Sequence, residues 1–229
     1  MVEYMIFRMA GTGLKPKRCG YTDLPKLSSV YSDWIKPLGE DSVLVPEGEF
    51  GEYWKMRFGG TCLTKKPGSA ETAPRARVSY SVWLKKDGSL LCCFAPRFFA
   101  RGIAVLAATQ ACGGKPKVSE VEITTEGYHR LAKYVLEHGG EIKWLALREV
   151  NFMGLYTKRI ELVGVKGRTS AIRVLLKGAE EIQKMGFQQE GILWTASRWG
   201  GGQILSPVNP GDEVFLKLLD VLHKTILQE

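Results

Sequence analysis

The chain has 229 residues, 45% of them apolar and 24% charged, and its formal net charge is +8. That size suits one large domain or two small ones with a sizeable core, and the surplus of cations points to a polyanionic partner. No stretch approaches the roughly 20 continuous apolar residues that a membrane span requires.

Residues 1–9 carry Glu3 and Arg8 and lack the apolar run of a signal peptide, so a cytoplasmic location is expected. The cysteines, Cys19, Cys62, Cys92, Cys93 and Cys112, form no C-x-x-C pair, and their odd number fits reduced thiols. His129, His138 and His223 stand apart in sequence. Neither a metal site nor a cofactor is expected.

In chain order, residues 4–8 read as a strand. Gly11-Thr12-Gly13-Leu14-Lys15-Pro16-Lys17-Arg18 reads as a basic loop. Residues 24–38 suggest a short helix interrupted by prolines, 52–63 a strand and 65–75 a loop. Residues 78–84 and 90–94 flank Asp87-Gly88, a hairpin signal. Residues 98–111 form a helix of small residues stopped by Gly113-Gly114. Lys115-Pro116-Lys117 marks the boundary between a β-rich, basic and aromatic half, 1–114, and a second half, 115–229. A single continuous domain remains an alternative.

The second half opens with an alternating strand over 120–124. Tyr128, Leu131, Ala132 and Val135 then fall at helical spacing, and Gly139-Gly140 stops that helix. Residues 141–150 form a strand with Ile142, Trp144, Ala146, Arg148 and Val150 on one face. A strand over 158–165 follows. Thr169 or Ser170 caps a helix whose stripe is Ile172, Leu175, Leu176, Ala179 and Ile182, ended by Gly186; 187–195 gives a fourth strand. The order βαββαβ matches the ferredoxin-like pattern. The fold class expected is α+β, with antiparallel sheets carrying helices on one face. A final helix over 212–228 has overlapping apolar stripes that include Val214, Phe215, Leu218, Leu219, Leu222 and Ile226. One packing face needs fewer, so this helix is the expected homo-oligomer interface.

Cations and aromatic rings recur together, and rings stack unpaired bases while cations neutralise phosphates. On the 78–84 strand, Trp83 shares the polar face with Arg77 and Lys85, and Lys86 follows. Trp83 is either an exposed stacking platform or a covered ring with cations on its rim. On the preceding strand Tyr53, Lys55 and Arg57 would face a ligand while Trp54, Met56 and Phe58 enter the core. Arg97, Phe98, Phe99 and Arg101 open a helix, whose free N–H groups suit phosphates. Arg198 and Trp199 lead a glycine-rich segment, and Lys15, Lys17 and Arg18 supply the basic loop. There is no Walker lysine, dinucleotide fingerprint or G-x-S-x-G elbow, so no enzymatic activity is expected.

Tyr53-Trp54-Lys55, Trp83 with Lys85-Lys86, Arg97-Phe98-Phe99 and the apolar final helix give the chain a resemblance to the ThermoDBP-related single-stranded DNA-binding proteins of hyperthermophilic archaea. The resemblance implies single-strand binding without an OB fold and assembly into oligomers. Abundant Lys, Arg and Glu also suit a thermophile. The expected partner is single-stranded DNA, with RNA not distinguished, bound with little sequence preference. Two rival readings stand beside it: a protein-interaction accessory factor in transcription or replication, and a metal-dependent nuclease.

Overall fold

Alternating apolar residues and short turns give this chain its sheets. The computed structural model describes residues 1–10, 15–63, 75–111, 117–152, 154–163, 174, 176–206 and 210–227. The fold is α+β, and every strand pair described below is antiparallel. Two compact units divide between Val121 and Glu122, with Met1 and Val2 grouped with the second.

The N-terminal unit contains β1 (Val2–Met9), β2 (Cys19–Gly20), α1 (Ser29–Ile35), β3 (Val43–Phe50), β4 (Tyr53–Leu63), β5 (Arg75–Lys85), β6 (Leu90–Phe94), α2 (Arg97–Ala111) and β7 (Val118–Glu120). Its strands lie in the order β2-β3-β4-β5-β6-β1, with β7 also paired to β1. The β5–β6 hairpin turns at Asp87-Gly88 as its sequence demands. Gly88 takes a φ of 75°, and the Asp87 carboxylate accepts from the Ser89 amide and hydroxyl at 2.8 and 2.6 Å.

Alternation along the strands sends Met56, Phe58, Val82, Leu84, Leu91, Cys93, Met5 and Phe7 to one face. There they meet Ile103, Ala104, Leu106 and Ala107 of α2. Small residues let α2 lie close to α1: a Cβ on Gly102 would come within 2.8 Å of the Trp34 carbonyl oxygen. The expected helix over 24–38 is confined to α1 because Pro25 and Pro37 flank it.

The C-terminal unit contains α3 (Thr125–Glu137), β8 (Glu141–Phe152), β9 (Leu155–Val163), β10 (Ala179–Gln189), β11 (Ile192–Ser197), β12 (Gly201–Leu205) and α4 (Asp212–Leu222), which runs into a π-helical turn, His223–Leu227. Strand order is β12-β11-β10-β8-β9. Thr124 caps α3, its hydroxyl accepting from the Gly127 amide at 3.1 Å.

This arrangement corrects the ferredoxin-like expectation. The opening strand over 120–124 is replaced by β7, which belongs to the other unit, and residues 121–124 are irregular. Ala179 and Ile182, expected in a helix, stand in β10, and Gly186 lies inside that strand rather than ending a helix. The physical reason is a β-bulge between Ile182 and Lys184. An inserted residue shifts the alternation, so the buried Ile182 and Met185 lie three apart on one face; Ala179, buried on the other face three residues before Ile182, completes a spacing that imitates a helix. A second irregularity between Gly186 and Phe187 aligns Ile142 with Phe187, so Ile142 leaves the Trp144 face. The expected caps Thr169 and Ser170, with Ile172 and Leu175, lie outside the described residues.

The final helix is also corrected. Phe215, Leu218, Leu219, Leu222 and Ile226 are all buried within the single chain, and Val214 is half-buried. Its apolar surplus is consumed internally: α4 and its π-turn pack on α3, where Arg130 Nε donates to the Thr225 carbonyl at 2.8 Å. No uncovered stripe remains among the described residues of α4 for a subunit interface.

Candidate nucleic-acid interface

The sheet of the N-terminal unit has one face under α1 and α2. The opposite face carries Tyr53, Lys55, Arg57, Gly59 and Thr61 from β4, aligned with Lys85, Trp83, Ser81, Ser79 and Arg77 from β5. Its two ends differ. At the first end Trp83 has no exposed surface and Tyr53 retains 3%. Phe50 meets the Trp83 ring edge-on at 5.3 Å, and Lys55 Nζ sits 5.8 Å from the same ring. Lys55 pairs with Glu47 at 3.5 Å, and Lys85 with Asp87 at 2.9 Å. The stacking-platform expectation for Trp83 and Tyr53 is therefore corrected: they are covered rings with cations on the rim. Both strands run 11 residues, and among the described residues only one end is covered. A face read as an average over the strand conceals that division.

Among the described residues the other end is open. Arg57, Arg75, Arg77 and Ser79 are exposed, and Gly59, Thr61 and Ser81 are half-buried. A Cβ on Gly59 would meet nothing within 4 Å. Val43 and Val45 of β3 extend the same face, opposite Gly59 and Arg57. Arg75 and Arg77 lie about 7 Å apart along β5. Arg57 stands opposite Ser81, ion-paired to Glu47. Neither Arg75 nor Arg77 has a carboxylate within ion-pair distance among the described residues. The nearest influence is Asp41, which accepts from the Thr61 hydroxyl at 2.7 Å and from its amide at 2.9 Å. Those bonds, with a smaller contribution from the Arg77 charge, hold the Asp41 carboxyl below its ordinary range. Sequence reading missed Arg75 by leaving it in the preceding loop. The signal was the alternation Arg75-Ala76-Arg77-Val78-Ser79-Tyr80-Ser81, which continues the strand.

The remaining candidates are dispersed. At the start of α2, Phe99 is buried and stacks on Tyr80 at 5.9 Å, while Phe98 is half-buried. Both are core packers, which corrects their assignment as contacts. Arg97 Nη2 and Arg101 Nε clamp Glu120 at 2.7 and 2.5 Å. Burial works against the charged Glu120 carboxylate, but the Arg101 and Arg97 bonds outweigh it and hold its pKa below the ordinary value. Those arginines are thus committed to a carboxylate rather than offered beside the helix N-terminus.

Trp54 is half-buried between two ammonium groups, Lys15 at 5.3 Å and Lys86 at 5.2 Å, and Lys86 also pairs with Glu49 at 2.9 Å. Lys17 and Arg18 are exposed, and the Lys17 amide donates to Gln110 Oε1 at 3.0 Å. Residues 11–14 of that basic segment, and residues 64–74, which include most of the loop expected over 65–75, lie outside the described residues. In the C-terminal unit, Arg198 and Trp199 form the β11–β12 turn rather than a flexible linker, and Gly201 and Gly202 belong to β12. Trp199 is 46% exposed, with the Arg198 guanidinium 5.3 Å from its ring. That guanidinium also pairs with Glu122 at 2.6 Å and with Glu181.

Burial drives the Cys62 thiol up to about 11 and raises the Cys92 and Cys93 thiols well above their ordinary value. These thiols are packing groups, not nucleophiles. Among the described residues no three His, Cys, Asp or Glu side chains are placed to hold a metal ion, and no helix is long and apolar enough to cross a membrane. No protein-family model matches the chain, and comparison with curated proteins finds no relative.

Proposed function

We propose that this protein binds single-stranded nucleic acid, DNA foremost, on the open end of the β3–β4–β5 face. The arginines grip the phosphate backbone and little sequence is read. One observation carries the reading: Arg75 and Arg77 are exposed and free of carboxylate partners among the described residues, and Arg57 lies across a floor of Gly59, Ser79 and Ser81. Small residues leave room for sugars and base edges to settle on the sheet, while planar guanidinium groups fork onto phosphate oxygens. The net charge of +8 draws the polyanion in. Stacking is a lesser term than the sequence implies, because Tyr53, Trp83 and Phe99 hold the sheet together from within. Of the rings that the sequence offers as contacts, Trp199 is exposed and remains a stacking candidate. Free, buried thiols at Cys19, Cys62, Cys92 and Cys93 suit a reducing, intracellular setting.

The test is fluorescence titration with labelled single-stranded and duplex oligonucleotides at several salt concentrations. Single strands bind more tightly than duplex, and Arg75→Glu with Arg77→Glu weakens single-strand binding at least about tenfold with an unchanged melting curve. Unaltered affinity in the double variant rejects this face. A wild-type chain that binds no oligonucleotide at moderate salt favours a protein partner instead.

A further inference from the structure

β9 is the edge of the C-terminal sheet. β9 pairs with β8 on one side, and among those residues no strand pairs with its other side. It runs 9 residues without a proline. Leu155, Tyr156 and Val163 are 71, 66 and 78% exposed. A strand edge of this kind is a template for another strand, and its lysine alone is a modest guard.

We propose that β9 pairs antiparallel with β9 of a second copy of this chain, about a two-fold axis at Ile160. Charge complementarity selects this register. A two-fold axis normal to an antiparallel pair runs through a residue that faces its own copy, so each possible register is named by the residue on the axis. An axis at Lys158, Arg159 or Glu161 sets that charge against itself, which is unfavourable. Axes at Leu155, Tyr156, Thr157, Leu162 or Val163 sit nearer the strand ends and overlap less of it. Ile160 remains. With Ile160 on the axis, Arg159 faces the partner's Glu161, and Glu161 faces the partner's Arg159. Lys158 then faces Leu162 and Thr157 faces Val163. In the single chain Arg159 and Glu161 pair with each other along the strand; in the dimer each gains a cross-strand partner. The exposed Val163 is covered, and Ile160 meets its own copy on the face it shares with Leu162. α4, whose apolar positions are buried, takes no part.

The experiment uses the full-length chain and light scattering across micromolar concentrations. Wild type has the mass of a dimer. Arg159→Glu, which sets a carboxylate against the partner's Glu161, weakens the dimer roughly tenfold or more, and Glu161→Arg does the same. The double variant exchanges the charges and returns to within about twofold of wild type. The in-chain pair is restored by the same exchange, so a second measurement fixes the register. Under mild oxidation Ile160→Cys gives a disulfide-linked dimer, because opposed residues have Cα atoms about 4.5–5.5 Å apart, within disulfide reach. Thr157→Cys, far from its own copy in this register, does not. A monomeric wild type, a dimer indifferent to both single charge reversals, or cross-linking at Thr157 in place of Ile160 overturns the proposal.

Discussion

Replacing Trp83 with alanine separates the two roles that its sequence position allows. The ring has no exposed surface, and a buried Trp removes about 150–250 Å² from water. At about 25 cal/mol per Å² that burial contributes roughly 4–6 kcal/mol. The cavity left by truncation places the expected cost at about 3–5 kcal/mol. Losses within that total include the edge contact with Phe50 and the cation–π contact with Lys55. The indole Nε1 has no hydrogen-bond partner among the described residues, which makes Trp83→Phe the informative companion. It removes an unsatisfied buried donor, a gain of about 1–3 kcal/mol, against a smaller loss of volume. Trp83→Phe is therefore expected to cost much less than Trp83→Ala. Urea unfolding followed by circular dichroism gives the midpoints, and oligonucleotide titration of the folded fraction gives the affinity. A Trp83→Ala chain that unfolds at the wild-type midpoint while losing oligonucleotide affinity would refute the buried role, since that combination requires a ring at the surface.

Two further expectations come from the same unit. The Glu120 pKa is depressed, so its stabilising contribution is present above its ordinary value of 4.5 and is lost as pH falls through the lower folded-state value. Urea midpoints measured down the acid limb should therefore fall less steeply in Glu120→Gln than in wild type, and identical slopes would show that Arg97 and Arg101 do not hold this carboxylate. Gly60→Ala drives a Cβ to within 2.6 Å of the Ser42 Cα, whereas Gly59→Ala meets nothing within 4 Å. The first is expected to lower stability by about 1–3 kcal/mol and the second to leave the urea midpoint near wild type; equal effects would contradict the packing of β4 on the Ser42 segment.

How much the sequence discloses depends on whether a signal is local. Asp87-Gly88, the alternation of β5 and the amphipathic face of α3 each state their structure within a few residues, and each is found where expected. β10 misleads because a bulge sets the buried Ile182 and Met185 three apart on one face, a helical spacing; only the partner strand reveals the inserted residue. The basic face was half legible. Arg57 and Arg77 were found from alternation, and Arg75 was lost to the neighbouring loop. Flanking cations make Tyr53, Phe98 and Phe99 read as contacts and let Trp83 read either way, but what covers a strand end or a helix start is a tertiary fact that no local pattern encodes. The apolar excess of α4 was real, and it is spent against α3 inside one chain.

The same distinction governs how the net charge acts. A cation already held by a carboxylate must give up that partner before it helps a phosphate, so its contribution to binding is a difference between two interactions. Lys55, Lys85, Lys86, Arg97, Arg101 and Arg198 are all in that position. Arg75 and Arg77 have no ion-pair partner among the described residues, and Arg57 shares its partner Glu47 with Lys55, so that carboxylate keeps a cation when a phosphate takes Arg57. Counterion release counts phosphates neutralised anew, about 0.7 per contact on a single strand. Three arginines then give a log–log salt slope of roughly 2, far shallower than the whole set of sequence-level cations would produce. A shallow slope is thus what this surface requires, because the cations beside the buried rings and at the start of α2 are already paired with carboxylates.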